Sequence, residues 1–257
     1  MSTQRRPDDS RPFVRVRINR VAARSPTRPG RWPAIWALSG VATVVLFAFG
    51  LVFGDLVGTA NYPALNASAE RLSRYFLDNR SEVRALSFFH LLAAVALLAF
   101  SACLYERLRS RTSGLGMLAL VGGSCAAVSL LLSALCYRAL AESAVARDPS
   151  LAHALVVLSY LAGGPGIAVP LALPAGAVAA AARRERLLPA WIGWLSLLAT
   201  FFGAASATTM LGPADNSSAS YGILLLAALL MFTWLIATSA AFAARPGGQT
   251  AGHIAPT

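Results

Sequence analysis

The chain contains no lysine and little charge of any kind. Arginine supplies all 22 basic residues, Asp and Glu together number 11, and charged side chains make up 13% of the 257 residues. The missing lysine excludes a retinal Schiff base and the lysine of a phosphate-binding loop. Cysteine is scarce too: Cys103, Cys125 and Cys136 lie in apolar stretches with no CxxC spacing and no clustered histidines. A zinc site or redox pair therefore lacks its ligands, and the three read as small apolar packing residues. Only three histidines occur, His90, His153 and His253, the last in the tail, which is a poor basis for two axial haem ligands. There is no H-E-x-x-H, no G-x-S-x-G and no pair of aspartates inside an apolar run. Membrane proteases, lipid phosphatases, haem-binding quinol enzymes and rhodopsin-like pigments are disfavoured on these grounds, and neither a cofactor nor a metal is expected.

What is present is apolar. Hydrophobic residues form 56% of the chain and mean hydropathy is +0.60, values that do not suit a water-facing surface. The sequence reads as an integral membrane protein. The exclusive use of arginine fits the codon composition of a GC-rich genome and so a bacterial source. A net charge of +11 would suggest nucleic acid in a soluble protein, but here the arginines flank apolar runs, where they orient the chain in a bilayer. No nucleic-acid partner is expected; the bilayer is the expected one.

Residues 1–31 carry nine arginines and four prolines with little apolar content, so they read as a disordered basic tail. Attraction to anionic headgroups adds about 1 kcal/mol per arginine. Residues 246–257 form a second tail. Between them six apolar runs, about 33–57, 85–105, 115–137, 151–182, 190–211 and 221–244, each approach or exceed the roughly 20 residues needed to span. The first is longer than the core of a cleaved signal peptide and is read as an uncleaved anchor. The expected fold is an all-α, six-span bundle. With the amino terminus inside, sixteen arginines fall on the cytoplasmic side and six outside, so a plasma-membrane protein with both termini cytoplasmic is expected.

The segment between the first two spans has a helical pattern, with Leu65, Ala69, Leu72, Tyr75 and Phe76 on one face and Glu70, Arg71, Arg74 and Asp78 elsewhere. An amphipathic helix capped by Asn66 or Ser68 is expected there, on the outer membrane surface or the mouth of the bundle. In the first span Gly50, Gly54 and Gly58 recur every four residues, a smooth face that serves either the bundle or a dimer contact. Glycines and alanines from Gly114 to Ala127 make the third span slim, which places it centrally with low lipid exposure. The fourth run contains Gly163, Gly164, Pro165, Gly166, Pro170 and Pro174. It is expected to kink or unwind, freeing carbonyls near Leu161, Gly166 and Pro170. Such carbonyls form a substrate or ion site in some transporters and are packed against neighbours in other helices.

No span holds an acidic or basic residue at depth, as a proton- or ion-coupled carrier usually does. Polar residues gather by topology on the outer side: Asp55, Arg84, His90, Glu142, His153, Tyr160 and Asp215, with Tyr62 and Tyr137. They define a candidate outward-facing pocket. Within it His90 is read as an interhelical hydrogen-bonding residue rather than a ligand.

The stretch from Ala67 to Arg80, with Tyr75 four residues before Asn79-Arg80, the exit Tyr105-Glu106-Arg107-Leu108-Arg109, and the segment Leu188-Pro189-Ala190-Trp191-Ile192-Gly193-Trp194-Leu195 resemble a group of uncharacterised six-span membrane proteins of actinobacterial type. That resemblance implies the six-helix architecture and no activity. Three function classes follow from the whole reading. A non-catalytic interaction or scaffold protein, forming a homodimer or joining a membrane partner, comes first. A transporter or receptor for a small, mostly apolar molecule at the broken fourth span comes second, and a membrane enzyme third.

Overall fold

A computed structural model describes residues 36, 38–57, 62–109, 113–185, 188–212 and 219–244. The two tails, Gly58 and Asp215 lie outside the described residues, and Gly54 and Asp55 are described only as helical backbone. In hydrocarbon every backbone donor and acceptor needs a partner within the chain, which leaves a spanning segment little choice but helix. All the regular elements among the described residues are helical: α1 (Ser39–Val57), α2 (Ala69–Asp78), α3 (Arg80–Arg109), α4 (Ser113–Leu140), the single turn α5 (Ser143–Ala146), α6 (Pro149–Gly163), α7 (Pro165–Glu185), α8 (Ala190–Ala205) and α9 (Ala219–Ala244). A 3-10 turn, Ser206–Leu211, extends α8.

Five stretches, Arg80–Arg109, Gly114–Leu140, Pro149–Arg184, Ala190–Leu211 and Tyr221–Ala244, are long and apolar enough to cross a bilayer. The apolar helix α1 adds 19 residues, about 28 Å at 1.5 Å per residue against a core of roughly 30 Å. The protein is an all-α, multi-pass membrane bundle. Its outward side chains agree: Val45, Phe88, Val95, Val128, Trp194 and Phe201 are each more than half exposed, an apolar surface that water would not tolerate.

The long helices touch in the order α1, α3, α4, α7, α8, α9, and α9 returns to α1, so they close a ring. One end is capped by α2 and α5. There Ser73 Oγ donates to the Ala146 carbonyl at 2.6 Å, and Leu72 and Phe76 are fully buried. The other end carries Arg107, Arg109, Arg183 and Arg184, with the Arg183 guanidinium 5.1 Å from the Trp194 ring centre. The amphipathic helix therefore sits on the mouth of the bundle. Ser68 is its cap, accepting from the Arg71 amide at 3.3 Å, and its apolar face meets α6.

Small residues set how closely the helices approach. A side chain at Gly123 would land on Ser101 of α3, and one at Gly40 on Ser239 of α9 and Phe100 of α3. Gly50 faces Leu86, Phe89 and His90 of α3, where an added methyl would meet atoms at 3.2–3.4 Å. Of the expected smooth face, Gly50 therefore packs within the bundle, while the surroundings of Gly54 and Gly58 lie outside the described residues. Serine hydroxyls lock further pairs: Ser87 Oγ donates to the Ala134 carbonyl at 2.8 Å, Ser133 Oγ to the Ser159 carbonyl at 3.0 Å, and Trp234 Nε1 to Ser196 Oγ at 3.0 Å. In the absence of a hydrophobic drive between helices, such contacts carry the association.

Three sequence expectations change. The second span starts at Arg80 rather than residue 85 and runs to Arg109, because Asn79 ends α2 and α3 follows directly. The third span, α4, is central in its contacts with α3, α6 and α7, yet it keeps a broad lipid face of Met117, Leu118, Val121, Val128, Leu132 and Leu135. Its buried small residues include Gly122, Gly123, Ala126 and Ala127, whereas Gly114 and Cys125 are exposed, so Cys125 is not a packing residue. The break expected in the fourth run is present, with Gly164 closing α6 before Pro165 opens α7.

Gly122 is the position where α4 admits the proline-bearing α7. A methyl there would sit 2.6 Å from the Pro170 carbonyl and 2.7 Å from both Leu173 Cβ and Pro174 Cδ. Gly122→Ala is expected to destabilise the bundle by about 1–3 kcal/mol through overpacking, read as a lower thermal midpoint in detergent. Gly222→Ala, with nothing within 4 Å of the new methyl, should leave the midpoint unchanged or slightly raised. Equal effects at the two sites would refute the tight α4–α7 contact.

Candidate functional site

The polar residues expected to share one outer pocket divide between separate places. At the rim of the capped end, Arg138 bridges Glu142 one helical turn on, Arg84 reaches the same carboxylate at 4.0 Å, and Arg80 Nη1 donates to Ser143 Oγ at 2.7 Å. Arg138, first by its hydrogen bond and then by its charge, holds the Glu142 carboxyl below its usual pKa, with Arg84 and Arg80 adding to it. These groups are about half exposed. Screening keeps such an arrangement to a loop-fastening role.

His90 is elsewhere. It is buried inside the ring, stacked on Phe47 of α1 with ring centres 4.5 Å apart and planes 7° from parallel, and edge-on to Tyr137 of α4 at 6.0 Å. Neither ring nitrogen has a hydrogen-bond partner. The expected interhelical hydrogen bond is therefore absent, and the imidazole acts as an aromatic plate. Above this layer Tyr62 hydrogen-bonds Tyr137, and burial first, then Tyr137, raises the Tyr62 hydroxyl well above its usual pKa. Tyr75 and Phe76 of α2 complete that aromatic cap, at 5.4 Å and 6.1 Å from Tyr62.

Tyr160 lies along the same wall of α6, packed against both the capped-end core and the Ala168–Leu224–Ala227 cluster. His153 is partly buried near the start of α6. The Asp55 side chain and Asp215 lie outside the described residues. Among the described residues no three His, Cys, Asp or Glu side chains come together as a metal site would need.

The proline-rich break does border something. A cavity of about 260 Å³ lies inside the ring beside Gly163 and Gly164, walled by Thr43 and Phe47 of α1, Ile167 and Leu171 of α7, and Phe232 and Leu235 of α9. Apart from Thr43 and Tyr221 its lining side chains are apolar, and the Thr43 hydroxyl already donates to the Ser39 carbonyl at 2.9 Å. Glycine at 164 opens this space, since a methyl there would come within 3.0 Å of Leu224. Of the carbonyls expected to be freed there, that of Pro170 abuts Gly122 of α4 and that of Leu161 lies beside Gly166.

The break thus yields an apolar chamber rather than a polar one. Sequence reasoning identified Gly163 and Gly164 but missed Phe47, Phe232 and the α9 wall. An α9 helix that is apolar all round gives no periodic sign of which face meets a void. No family model, curated protein or solved structure matches the chain.

The His90 geometry generates a test. Removing the ring loses a stacked pair worth about 0.5–1.5 kcal/mol but also removes two buried nitrogens without partners, whose burial costs about 1–3 kcal/mol. The second effect is larger. His90→Leu is expected to hold or raise the thermal midpoint in detergent, and a loss greater than about 1 kcal/mol would show that the imidazole makes a polar interaction.

Proposed function

We propose that this multi-pass protein binds a small, mostly apolar molecule within the bilayer, as a receptor or carrier. The observation that carries this reading is the apolar cavity beside the Gly163–Gly164 break. At about 260 Å³ it lies just below the usual range of small-ligand pockets, roughly 300–1,000 Å³. Its lining offers no charge and no cluster of acceptors, so an ion or sugar would lose its hydration there without compensation. A scaffold role is weakened by Gly50, whose open face is occupied by α3. Catalysis has less support, because Arg84 and Glu142 form one group and His90 another.

In native mass spectrometry from nanodiscs, the protein should retain a stoichiometric apolar small molecule, and Ala228→Phe, which fills part of the lining, should release it. A ligand-free dimer or hetero-oligomer would instead favour the scaffold role.

We further propose a plasma-membrane location with the arginine-bearing end of the bundle cytoplasmic. Arg107 and Arg109 end α3, Arg183 and Arg184 end α7, and the arginine-rich residues 1–31 precede α1 in the sequence. Arginine close to span ends is what retains a loop inside. A reporter fused after Arg245 should be active in the cytoplasm; periplasmic activity would reverse the orientation.

A further inference from the structure

We propose that the occupant of the cavity is one hydrocarbon chain of a membrane lipid, which moves in sideways between α1 and α9 and lies along α9 with its polar end near Tyr221. This rests on the reading of the cavity as a site for an apolar molecule and adds the chemical class and the route.

Three observations carry it. The first is shape. The α9 wall runs from Tyr221 to Leu235, about 21 Å at 1.5 Å per residue, which exceeds half of a roughly 30 Å hydrocarbon core. Thr43, Phe47 and Leu51 line the opposite side at intervals of four residues, a single stripe along α1. The chamber is long and parallel to the helices, a form that suits an extended chain better than a compact molecule.

The second is the mouth. Leu51 of α1 and Leu225 and Leu229 of α9 line the cavity and are also 45%, 53% and 57% exposed. The same side chains therefore belong to the interior wall and to the surface that meets lipid. Deeper in, the two helices close: Phe47 and Phe232 touch with ring centres 5.1 Å apart, and Gly40 abuts Ser239. The opening is lateral and lies towards the capped end.

The third is the polarity gradient. Leu97, Leu171 and Leu235 line the cavity and are 1–2% exposed, so the far end is a buried aliphatic floor whose one polar side chain, Thr43, already donates to the Ser39 carbonyl. Tyr221 stands at the start of α9, where an ester or hydroxyl group of a lipid would lie near the membrane interface. A molecule with polar groups along its length would leave them unpaired against these walls.

The test uses the full chain in vesicles of phosphatidylcholine whose palmitoyl chain carries a diazirine at its terminal carbon, with labelled residues located by mass spectrometry after irradiation. Labels on Leu97, Leu171 or Leu235 are expected, because these buried side chains are out of reach of surrounding lipid. Ala228→Phe should lose them while keeping labels on outward residues such as Val95 and Phe201. Labels confined to outward residues would overturn the proposal, and deep labels that persist in Ala228→Phe would overturn the lateral route. A small diazirinyl benzene, used in parallel, separates the two readings. If it labels Leu97 and Leu171 where the lipid does not, the cavity remains an apolar-molecule site and the chain proposal fails. If neither probe labels them, both readings fail.

Discussion

Pro170 and Pro174 each take a backbone donor out of a helix that lies in hydrocarbon, and the packing around α7 follows from where the bared carbonyls go. Water is not there to take them. The Pro170 carbonyl is met by α4 at Gly122, where any Cβ would come within 2.6 Å of it. That approach draws α4 against α7. It also explains why Gly123, the next residue, receives Ser101 of α3: the two glycines turn adjacent faces of α4 towards different neighbours. The broken run is thus tied into the ring from the side, with the Pro170 carbonyl set against Gly122.

The break at Gly164 has a second effect. α6 ends there, having packed against α2 and α4 at the capped end, and α7 begins anew with its own first turn, Ile167 and Ala168 both donating to the Gly164 carbonyl at 3.1 Å. A continuous helix would place a Cβ at this point and a straight path beyond it. With glycine at 163 and 164 and Ala168 a turn later, the wall recedes beside Phe47 of α1 and Phe232 of α9, whose rings touch. Small residues on one side and large ones at the floor leave a slot. The His90–Phe47 stack fixes one of those large rings, so the aromatic layer under the cap and the chamber within the ring share a side chain.

Much of the architecture was legible in the sequence because hydrocarbon imposes simple rules. Apolar length gave the spans, Ser68 with the Leu72–Phe76 spacing gave the capping helix, and the cluster of glycine and proline after Leu161 gave the break. Other features depended on neighbours that a single sequence does not reveal. Arg84, Glu142 and His90 were placed on one side by topology, but a turn of helix separates an exposed rim from a buried layer, and α3 puts Arg84 on the first and His90 on the second. Cys125 and Cys136 lie eleven residues apart on the same helix with opposite exposure. The α9 wall was invisible for a related reason: a helix apolar all round has no polar face to betray which side looks inward.

The apolar character of the chamber also bears on its energetics. An unfilled void of about 260 Å³ costs at most on the order of 6 kcal/mol at roughly 24 cal/mol per Å³, comparable to the whole stability of many folded proteins, about 5–15 kcal/mol. Closing the ring would remove that cost by moving α1 towards α9, and the residues at the mouth are flexible leucines that would not prevent it. The rigid pair Phe47 and Phe232, braced by His90, already brings α1 and α9 into contact deeper in, so further closure would require these rings to move. In a bilayer the missing contacts can be supplied by hydrocarbon that is already present at the mouth, with no polar group to desolvate. A lipid chain would then act less as a rare ligand than as a replaceable part of the core, and any hydrophobic cargo would have to displace it.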